Sequence, residues 1–152
     1  MKRPDRGGGD CSVARTLSVI GQKWTPLIIR ECYFGTRRFD AFEAALKIPR
    51  AVLAVRLKML VKEVILVRRV DQNHARRFDY ILTKKGWDLR PVLLSMMAWG
   101  DTYKAENTPP VLVKHNDCGH PICIEIRCPS CDMQVSPTEI TSEWNEDYAP
   151  SQ

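Results

Sequence analysis

The stretch Pro49–Lys62, PRAVLAVRLKMLVK, decides how the rest of the sequence is interpreted, because it holds several basic residues and no acidic one. Its apolar residues fall roughly on one helical face: Val52, Val55, Leu57 and Leu60. Its basic residues lie between and around them: Arg50, Arg56, Lys58 and Lys62. Like charges one turn apart destabilise a helix, so the pattern indicates a polyanion that neutralises them. The simpler interpretation is an ordinary solvated helix face.

The charge of the chain is strongly asymmetric. Residues 1–105 contain 21 Lys and Arg against 10 Asp and Glu, whereas residues 106–152 contain 2 against 8. A basic body with an acidic tail indicates that the body binds phosphate and the tail does not. The alternative is a soluble protein whose charges are merely uneven.

Hydrophobic residues make up 44% of the 152 residues, which is enough for a packed core. No apolar run approaches the roughly 18 residues that span a bilayer, and no secretory signal is visible. We therefore expect a cytoplasmic protein without a membrane partner. In that compartment the six cysteines are expected to be free, metal-bound or redox-active rather than a disulfide framework.

Three short helices are predicted before the opening stretch: about Ser12–Ile20, a helix capped by Thr25 and closed by Gly35, and about Arg38–Ala45. In the third, the spacing predicts four inward side chains: Phe39, Phe42, Ala45 and Leu46.

After the opening stretch, the pattern predicts two strands, Val64–Val70 and Arg76–Leu82, joined by the turn 71–75. A long helix then runs from the cap Thr83 to about Lys104, with a kink at Pro91. Short helices followed by a hairpin predict a winged helix-turn-helix, mainly α with a β-hairpin wing. In this fold the second helix of the helix-turn-helix, here Pro49–Lys62, enters the major groove.

Several spaced motifs carry a family resemblance. They are Cys11, GQKWT at 21–25, FG at 34–35, RRF at 37–39, LAVRLKML at 53–60, YILTKKG at 80–86 and WG at 99–100. In this order they resemble the HxlR-type winged helix-turn-helix transcriptional regulators over about residues 11–105.

The resemblance implies a bacterial regulator that binds double-stranded DNA at an operator with two half-sites. It also implies a homodimer formed through the first and last helices of the domain. The last helix is rich in Trp and Met, which suits an interface, although such residues equally suit a plain core. We predict the following DNA-binding residues: Arg37, Arg38, Arg50, Arg56, Lys58, Arg76 and Arg77. The hairpin arginines also suit a charged ribbon that merely avoids edge pairing.

Two positions depart from the family pattern. Ile48–Pro49 stands where the family has a Ser-type cap, and Val64 stands where it tends to have glycine after the helix. A β-branched residue at positive φ is costly, so we expect this turn to be remodelled.

Cys11 is the redox-sensing candidate, because some family members carry a thiol switch at this position. A helix N-terminus stabilises a thiolate, and Arg15 lies one turn further on. The alternative is a small buried side chain that caps the core. Cys32 is expected to belong to the core.

The tail contains His115-x2-Cys118 and Cys128-x2-Cys131, separated by the strand-like CIEIR. Two such pairs predict a zinc-ribbon-like tail with one structural zinc ion. His120 and Cys123 are alternative candidates for the fourth ligand. The other interpretations are a redox CxxC pair and simple reduced cysteines. A catalytic zinc is not expected, because no general base lies beside the pairs.

The sequence therefore predicts a flexible leader (1–10), a winged helix-turn-helix domain for DNA binding and dimerisation (11–105), a zinc-ribbon-like tail (111–135) and an acidic segment (136–152). The expected function is that of a homodimeric, sequence-specific transcriptional regulator, not an enzyme, that responds to redox state or a small molecule. The alternatives are a thiol redox protein that uses Cys128 and Cys131, and a winged-helix adaptor that binds proteins instead of DNA.

Overall fold

The structure, a computed structural model, describes residues 11–71, 74–106 and 108–143; at residues 75 and 76 it describes the backbone alone. The predicted leader and residues 144–152 of the acidic segment lie outside the described residues. The chain divides into two compact units, Met1–Leu93 and Leu94–Gln152. The division falls inside the last long helix, whereas the sequence analysis ended the winged helix-turn-helix domain at residue 105.

The first unit has the predicted mainly α architecture with one hairpin. The elements are α1 Ser12–Ile20, α2 Trp24–Tyr33, α3 Phe39–Leu46, α4 Arg50–Lys62, β1 Leu66–Asp71, β2 His74–Leu82, α5 Lys84–Trp87 and α6 Arg90–Tyr103. Strands β1 and β2 form a two-stranded antiparallel sheet. This order is consistent with a winged helix-turn-helix. Among the described residues, no helix combines the length and apolar character needed to cross a membrane.

One core holds α2, α3, α4 and the start of the hairpin together. Its fully buried large side chains are Ile28, Ile29, Phe42, Leu53, Leu57, Leu60, Ile65 and Leu66. Cys32 is buried among them, as predicted. Each fully buried aliphatic or aromatic side chain stabilises the fold by about 1.5–3 kcal/mol, so this cluster fixes where α4 lies.

The inward face of α4 differs in detail from the predicted one. Leu53, Leu57 and Leu60 are fully buried, at the i, i+4, i+7 spacing of one helical stripe. Val55 was wrongly assigned to that face, since it is 60% exposed, and Val52 is only half-buried. The stripe is centred on the leucines, which turns Val55 to the opposite side. Ala45 of α3 is likewise exposed, contrary to the prediction.

The start of α2 also differs from the prediction. The helix begins at Trp24 with Lys23 as its N-cap, and Thr25 is fully buried inside it. The Thr25 hydroxyl finds no hydrogen-bond partner among the described residues. The Thr25 N–H donates to the Gln22 carbonyl at 2.9 Å. The helix therefore starts before Thr25, and the cap prediction was wrong.

The predicted long kinked helix is in fact two helices. Thr83 is the N-cap as predicted, and its hydroxyl accepts a hydrogen bond from the Gly86 N–H at 3.1 Å. Helix α5 ends at Trp87, and α6 starts at Arg90 with Pro91 in its first turn. Proline lacks an N–H and clashes with the carbonyl four residues earlier, so it is tolerated only near a helix start.

The turn between α4 and β1 keeps the left-handed conformation despite its valine. Val64 has φ 57° and is 58% exposed. The Ile65 N–H donates to the Leu60 carbonyl at 2.9 Å, and the Val64 N–H donates to the Val61 carbonyl at 3.0 Å. These two bonds define a Schellman motif, whose left-handed position is normally glycine. The expectation that the turn is remodelled was therefore wrong.

Contacts from the residues that follow strand β2 hold this turn in place. The Thr83 hydroxyl donates to the Val64 carbonyl at 2.6 Å, and the Thr83 N–H donates to the Ile65 carbonyl at 3.0 Å. Gly86 lies so close that a Cβ built on it would come within 2.5 Å of the Ile65 carbonyl oxygen. The surrounding structure thus over-determines a conformation that valine disfavours.

We predict that Val64→Gly raises the free energy of unfolding by about 1 kcal/mol, because it removes the left-handed strain of a β-branched residue. Urea unfolding followed by circular dichroism measures the change.

Val55→Gly is the matched control, since Val55 is a valine of similar exposure with ordinary helical geometry in α4. There glycine is expected to lower stability by about 0.5–1 kcal/mol. Equal destabilisation by both substitutions would contradict the assigned strain at Val64.

Candidate nucleic-acid interface

The register of the hairpin places its aromatic residues and one arginine on the same face. Val70 pairs with Phe78 and Arg68 pairs with Tyr80 across the strands. The Arg68 guanidinium stacks over the Phe78 ring, 3.7 Å from the ring centroid. A cation–π contact of this kind favours one direction for a long cationic side chain.

The hairpin is fastened to the start of α3 through the middle of β2 and the last residue of β1. The Tyr80 N–H donates to the Arg37 carbonyl at 2.8 Å. Arg38 Nη2 lies 2.5 Å from Asp71 Oδ2, and Arg38 Nε lies 3.8 Å from Asp79 Oδ1. The Asp71 side chain is only 10% exposed, so this pair is partly shielded from water. Arg38 therefore holds the hairpin against α3 in the DNA-free protein.

Arg50 is the first residue of α4, and its charge is held only loosely. Its Nη1 lies 2.8 Å from Glu43 Oε2, and its guanidinium lies 4.7 Å from the Phe39 ring centroid. The Arg50 side chain is 72% exposed, and exposed pairs contribute at most about 1 kcal/mol. Arg50 can therefore exchange Glu43 for another anion at low cost.

A hollow with a volume of about 330 Å³ opens between α3, the start of α4 and strand β2. Its lining is cationic and aromatic: Arg38, Phe39, Asp40, Arg50, Arg77, Phe78 and Tyr80. Three of the predicted DNA-binding arginines thus line one concave space. The sequence did not predict that Phe39, Phe78 and Tyr80 meet there. The alternation of Phe78 and Tyr80 with charged residues along β2 was a signal for two of them.

The remaining predicted contacts do not line this hollow. Arg56 is half-buried, and its Nη2 donates to Gln22 Oε1 at 3.3 Å. Lys58 and Arg37 are exposed. The backbone of Arg76 belongs to β2, but its side chain lies outside the described residues. No feature of the sequence predicted that Glu43 would pair with Arg50 either.

Cys11 is the N-cap of α1 and is exposed, which contradicts its interpretation as a buried side chain of the core. Its sulfur makes no regular capping hydrogen bond. The N–H groups of Ala14 and Val13 that face the sulfur nevertheless hold the pKa of the thiol below its ordinary value of 9.0, with a smaller contribution from Arg15. By contrast, burial raises the pKa of Cys32 to about 12.

The tail forms a first tight turn, the His115 knuckle, over residues 115–120. The His115 N–H donates to the His120 carbonyl at 2.9 Å, and the Gly119 N–H donates back to the His115 carbonyl at 2.8 Å. Gly119 has φ 70°, and a bridge between Lys114 and Pro121 closes the turn. His115 Nδ1 lies 3.4 Å from Cys118 Sγ.

A second turn, the Cys128 knuckle, spans residues 128–133 and repeats this pattern. The Cys128 N–H donates to the Met133 carbonyl at 3.0 Å, and the Asp132 N–H donates to the Cys128 carbonyl at 2.9 Å. Asp132 has φ 55°. The backbone N–H groups of Cys131 and Ser130 point at the Cys128 sulfur and lower the pKa of that thiol.

The spacer between the knuckles is not the predicted strand. Residues 123–127 belong to no strand, and the described tail has only two isolated bridges. Each bridge closes a knuckle, so the backbone pairing is local to each turn. Among the described residues, no three His, Cys, Asp or Glu side chains gather into a group that could hold a metal ion.

Comparison with known proteins places the chain in a family. The family model of the HxlR-like helix-turn-helix matches residues 19–108. The chain belongs to the HxlR-like helix-turn-helix family. It is a DNA-binding transcriptional regulator, and the hairpin is the wing of its helix-turn-helix domain.

Three similar proteins illustrate the family. Rv3095 of Mycobacterium tuberculosis, an uncharacterized HTH-type transcriptional regulator, is 36% identical over 133 residues, which cover 87% of this chain and 84% of the relative. PA1607, described as a candidate transcription factor, superimposes with a TM-score of 0.81 and 29% identity over 90% of this chain and 96% of its own. The redox regulator HypR, in its oxidised form, gives a TM-score of 0.58 and 31% identity over 62% of this chain and 99% of its own.

We predict that Cys11 is alkylated at a lower pH than an ordinary thiol, because the thiolate is the nucleophile and its pKa lies below 9.0. Cys32, with a pKa of about 12, is expected to resist alkylation in the folded chain. Peptide mass spectrometry after timed iodoacetamide treatment across a pH series measures both rates. A midpoint for Cys11 at or above that of an unstructured reference peptide would contradict the prediction.

Proposed function

We propose that the protein is a homodimeric, sequence-specific regulator that reads base edges with the start of α4 and grips the flanking phosphates with the wing. The observation that carries the proposal is the hollow in which Arg38, Arg50 and Arg77 meet an aromatic lining. A helix-turn-helix places the N-terminal residues of its second helix against base edges. The same docking brings the wing beside the DNA backbone.

Arg50 is the proposed base-contacting residue. It stands first on α4, and its exposed pair with Glu43 leaves its guanidinium available for exchange. A guanidinium fork matches the two acceptors of guanine in the major groove. Arg38 has a positioning role instead, because Asp71 already holds its charge.

The uncapped start of α4 supports a phosphate beside Arg50. Its N-cap is Pro49, which makes no side-chain hydrogen bond, and its first turn has no acidic residue. The N–H groups of a helix start attract anions through their partial positive charge. The missing Ser-type cap thus leaves these donors to a DNA phosphate.

Exposed apolar faces support the homodimer. Met96, Trp99 and Tyr103 are exposed and share one face of α6 at the i, i+3, i+7 spacing of a coiled-coil seam. Val13 and Leu17 form a similar exposed pair on α1. Surfaces of this kind on a soluble protein mark an interface, and a second copy offers the same surface in return.

Redox control through Cys11 is the proposed regulation. The thiol is exposed, has a lowered pKa and lies on the same helix as Val13 and Leu17. Oxidation at the start of α1 would alter the packing of the dimer and re-angle the two copies of α4. HypR, known in reduced and oxidised forms, supports a redox response in this family.

We predict that Arg50→Ala lowers operator affinity about 10- to 100-fold and relaxes sequence preference, since one bidentate base contact contributes about 1–3 kcal/mol.

The double variant Arg76→Ala/Arg77→Ala should lower the affinity for all DNA sequences alike and reduce the salt slope by about 1 for each phosphate that is no longer bound. Footprinting upstream of its own and neighbouring genes supplies the operator, and fluorescence anisotropy at several salt concentrations supplies the affinities. A dimer should protect two half-sites about one helical turn apart.

Lys84→Ala is the control of equal charge change, because Lys84 is an exposed cation on α5 that pairs with Asp88 and does not line the hollow. It should leave affinity and sequence preference nearly unchanged. Equal losses of operator affinity for Lys84→Ala and Arg50→Ala would show that net charge alone causes the effect. That result would contradict the proposed base contact.

We predict that diamide releases the wild-type protein from its operator but leaves the Cys11→Ser variant bound. Diamide is reduced as it joins the Cys11 thiol and a second thiol in a disulfide, and serine has no thiol to oxidise. Operator binding by fluorescence anisotropy before and after treatment measures the response. Cys123→Ser, which keeps Cys11, should release like the wild type. If Cys11→Ser also releases normally, the sensing thiol lies elsewhere.

A further inference from the structure

The tail belongs to the second unit together with the end of α6, and it has no buried core of its own. Among the described residues from 108 to 143 no side chain is fully buried, and the only helical element is the 3-10 turn Pro137–Glu139. Val113, Ile122 and Ile124 line a shallow hollow beside the end of α6. A segment of this size folds only with a metal ion, a disulfide or a partner, because it buries too little apolar surface.

The two knuckles share one backbone geometry at unrelated sequences. In both knuckles, the N–H of the first residue, His115 or Cys128, donates to the carbonyl of the residue five positions later. The carbonyl of that first residue accepts from the N–H of the residue four positions later. In both, the residue after the fourth position is left-handed: Gly119 in one and Asp132 in the other. This turn directs its first and fourth side chains to the same side. Those positions hold His115 with Cys118, and Cys128 with Cys131.

The atoms of the first pair already have the separation of two ligands on one ion. His115 Nδ1 and Cys118 Sγ are 3.4 Å apart. Zn–N of about 2.0–2.1 Å and Zn–S of about 2.3 Å place tetrahedral nitrogen and sulfur ligands about 3.5 Å apart. The Asp117 carboxylate faces the other ring nitrogen of His115 at 3.8 Å, as carboxylates do beside ligating histidines.

The second pair occupies the same two positions of its own turn. Cys128 and Cys131 are the first and fourth residues of the Cys128 knuckle. Cys123 has a different place, because it lines the hollow beside α6 and belongs to neither knuckle. His120 occupies the last position of its knuckle rather than the first or fourth.

We propose that the tail binds one Zn²⁺ ion through His115, Cys118, Cys128 and Cys131, with two ligands from each knuckle. Three thiolates and one imidazole form a closed tetrahedral set of the kind that structural zinc prefers. The knuckles are separate turns, and among the described residues no three possible ligands gather, so the ion would have to bring the two turns together. The ion would thereby supply the stability that the missing core does not.

The full-length protein, reduced, loaded with Zn²⁺ and dialysed against metal-free buffer, tests the site by elemental analysis. The wild type should retain one zinc ion per chain, and Co²⁺ in its place should give the absorption bands of tetrahedral thiolate ligation. Cys128→Ser and His115→Ala should each weaken zinc binding by more than about tenfold against a competing chelator. Cys123→Ser and His120→Ala are their matched controls and should retain the ion.

Three results would overturn the proposal: no zinc on the fully reduced wild type, equal loss from Cys123→Ser and Cys128→Ser, or one ion per two chains. Circular dichroism of each variant reports whether the winged-helix domain is still folded, since that domain has a core of its own. The site includes no residue of α4 or the wing, so failure of DNA binding would leave this proposal intact, and the reverse also holds.

Discussion

The position of the wing relative to α4 depends on the close approach of Gly86 to the Ile65 backbone. Only a residue without a Cβ fits there, since any side chain would begin within 2.5 Å of the Ile65 carbonyl oxygen. Thr83 adds hydrogen bonds from the same end of the hairpin, and these hold Val64 in a conformation that valine disfavours. These contacts therefore fix the connection between α4 and the wing.

The sequence predicted the order of the elements well, because amphipathic spacing and capping residues are local signals. Helix α1 ends where its pattern ends, and Thr83 caps α5 as its side chain suggests. The errors came from tertiary packing. Val55 and Leu53 fit the helical period almost equally, and only the neighbouring helices decide which is buried. Thr25 resembles a cap, but its small side chain is taken into the core instead.

The site was predictable as a set of charges but not as an arrangement. The arginines themselves were evident, whereas the partners of Arg38 and Arg50 were not, because Asp71 and Glu43 meet them only in the folded chain. Asp71 holds Arg38 in a structural ion pair, whereas the exposed pair with Glu43 leaves Arg50 free to exchange its partner for another anion. In the tail, the spacing of His and Cys indicated ligand pairs, but the backbone turns that aim them were beyond the reach of sequence alone.

The ion pair between Arg38 and Asp71 has a consequence for how the regulator leaves its operator. Mobile ions compete strongly with contacts on the open surface, and much less with a carboxylate that is 10% exposed. A rise in ionic strength should thus detach the protein from DNA without loosening the wing. Across such a change in salt, the free protein would keep its wing fastened to the start of α3.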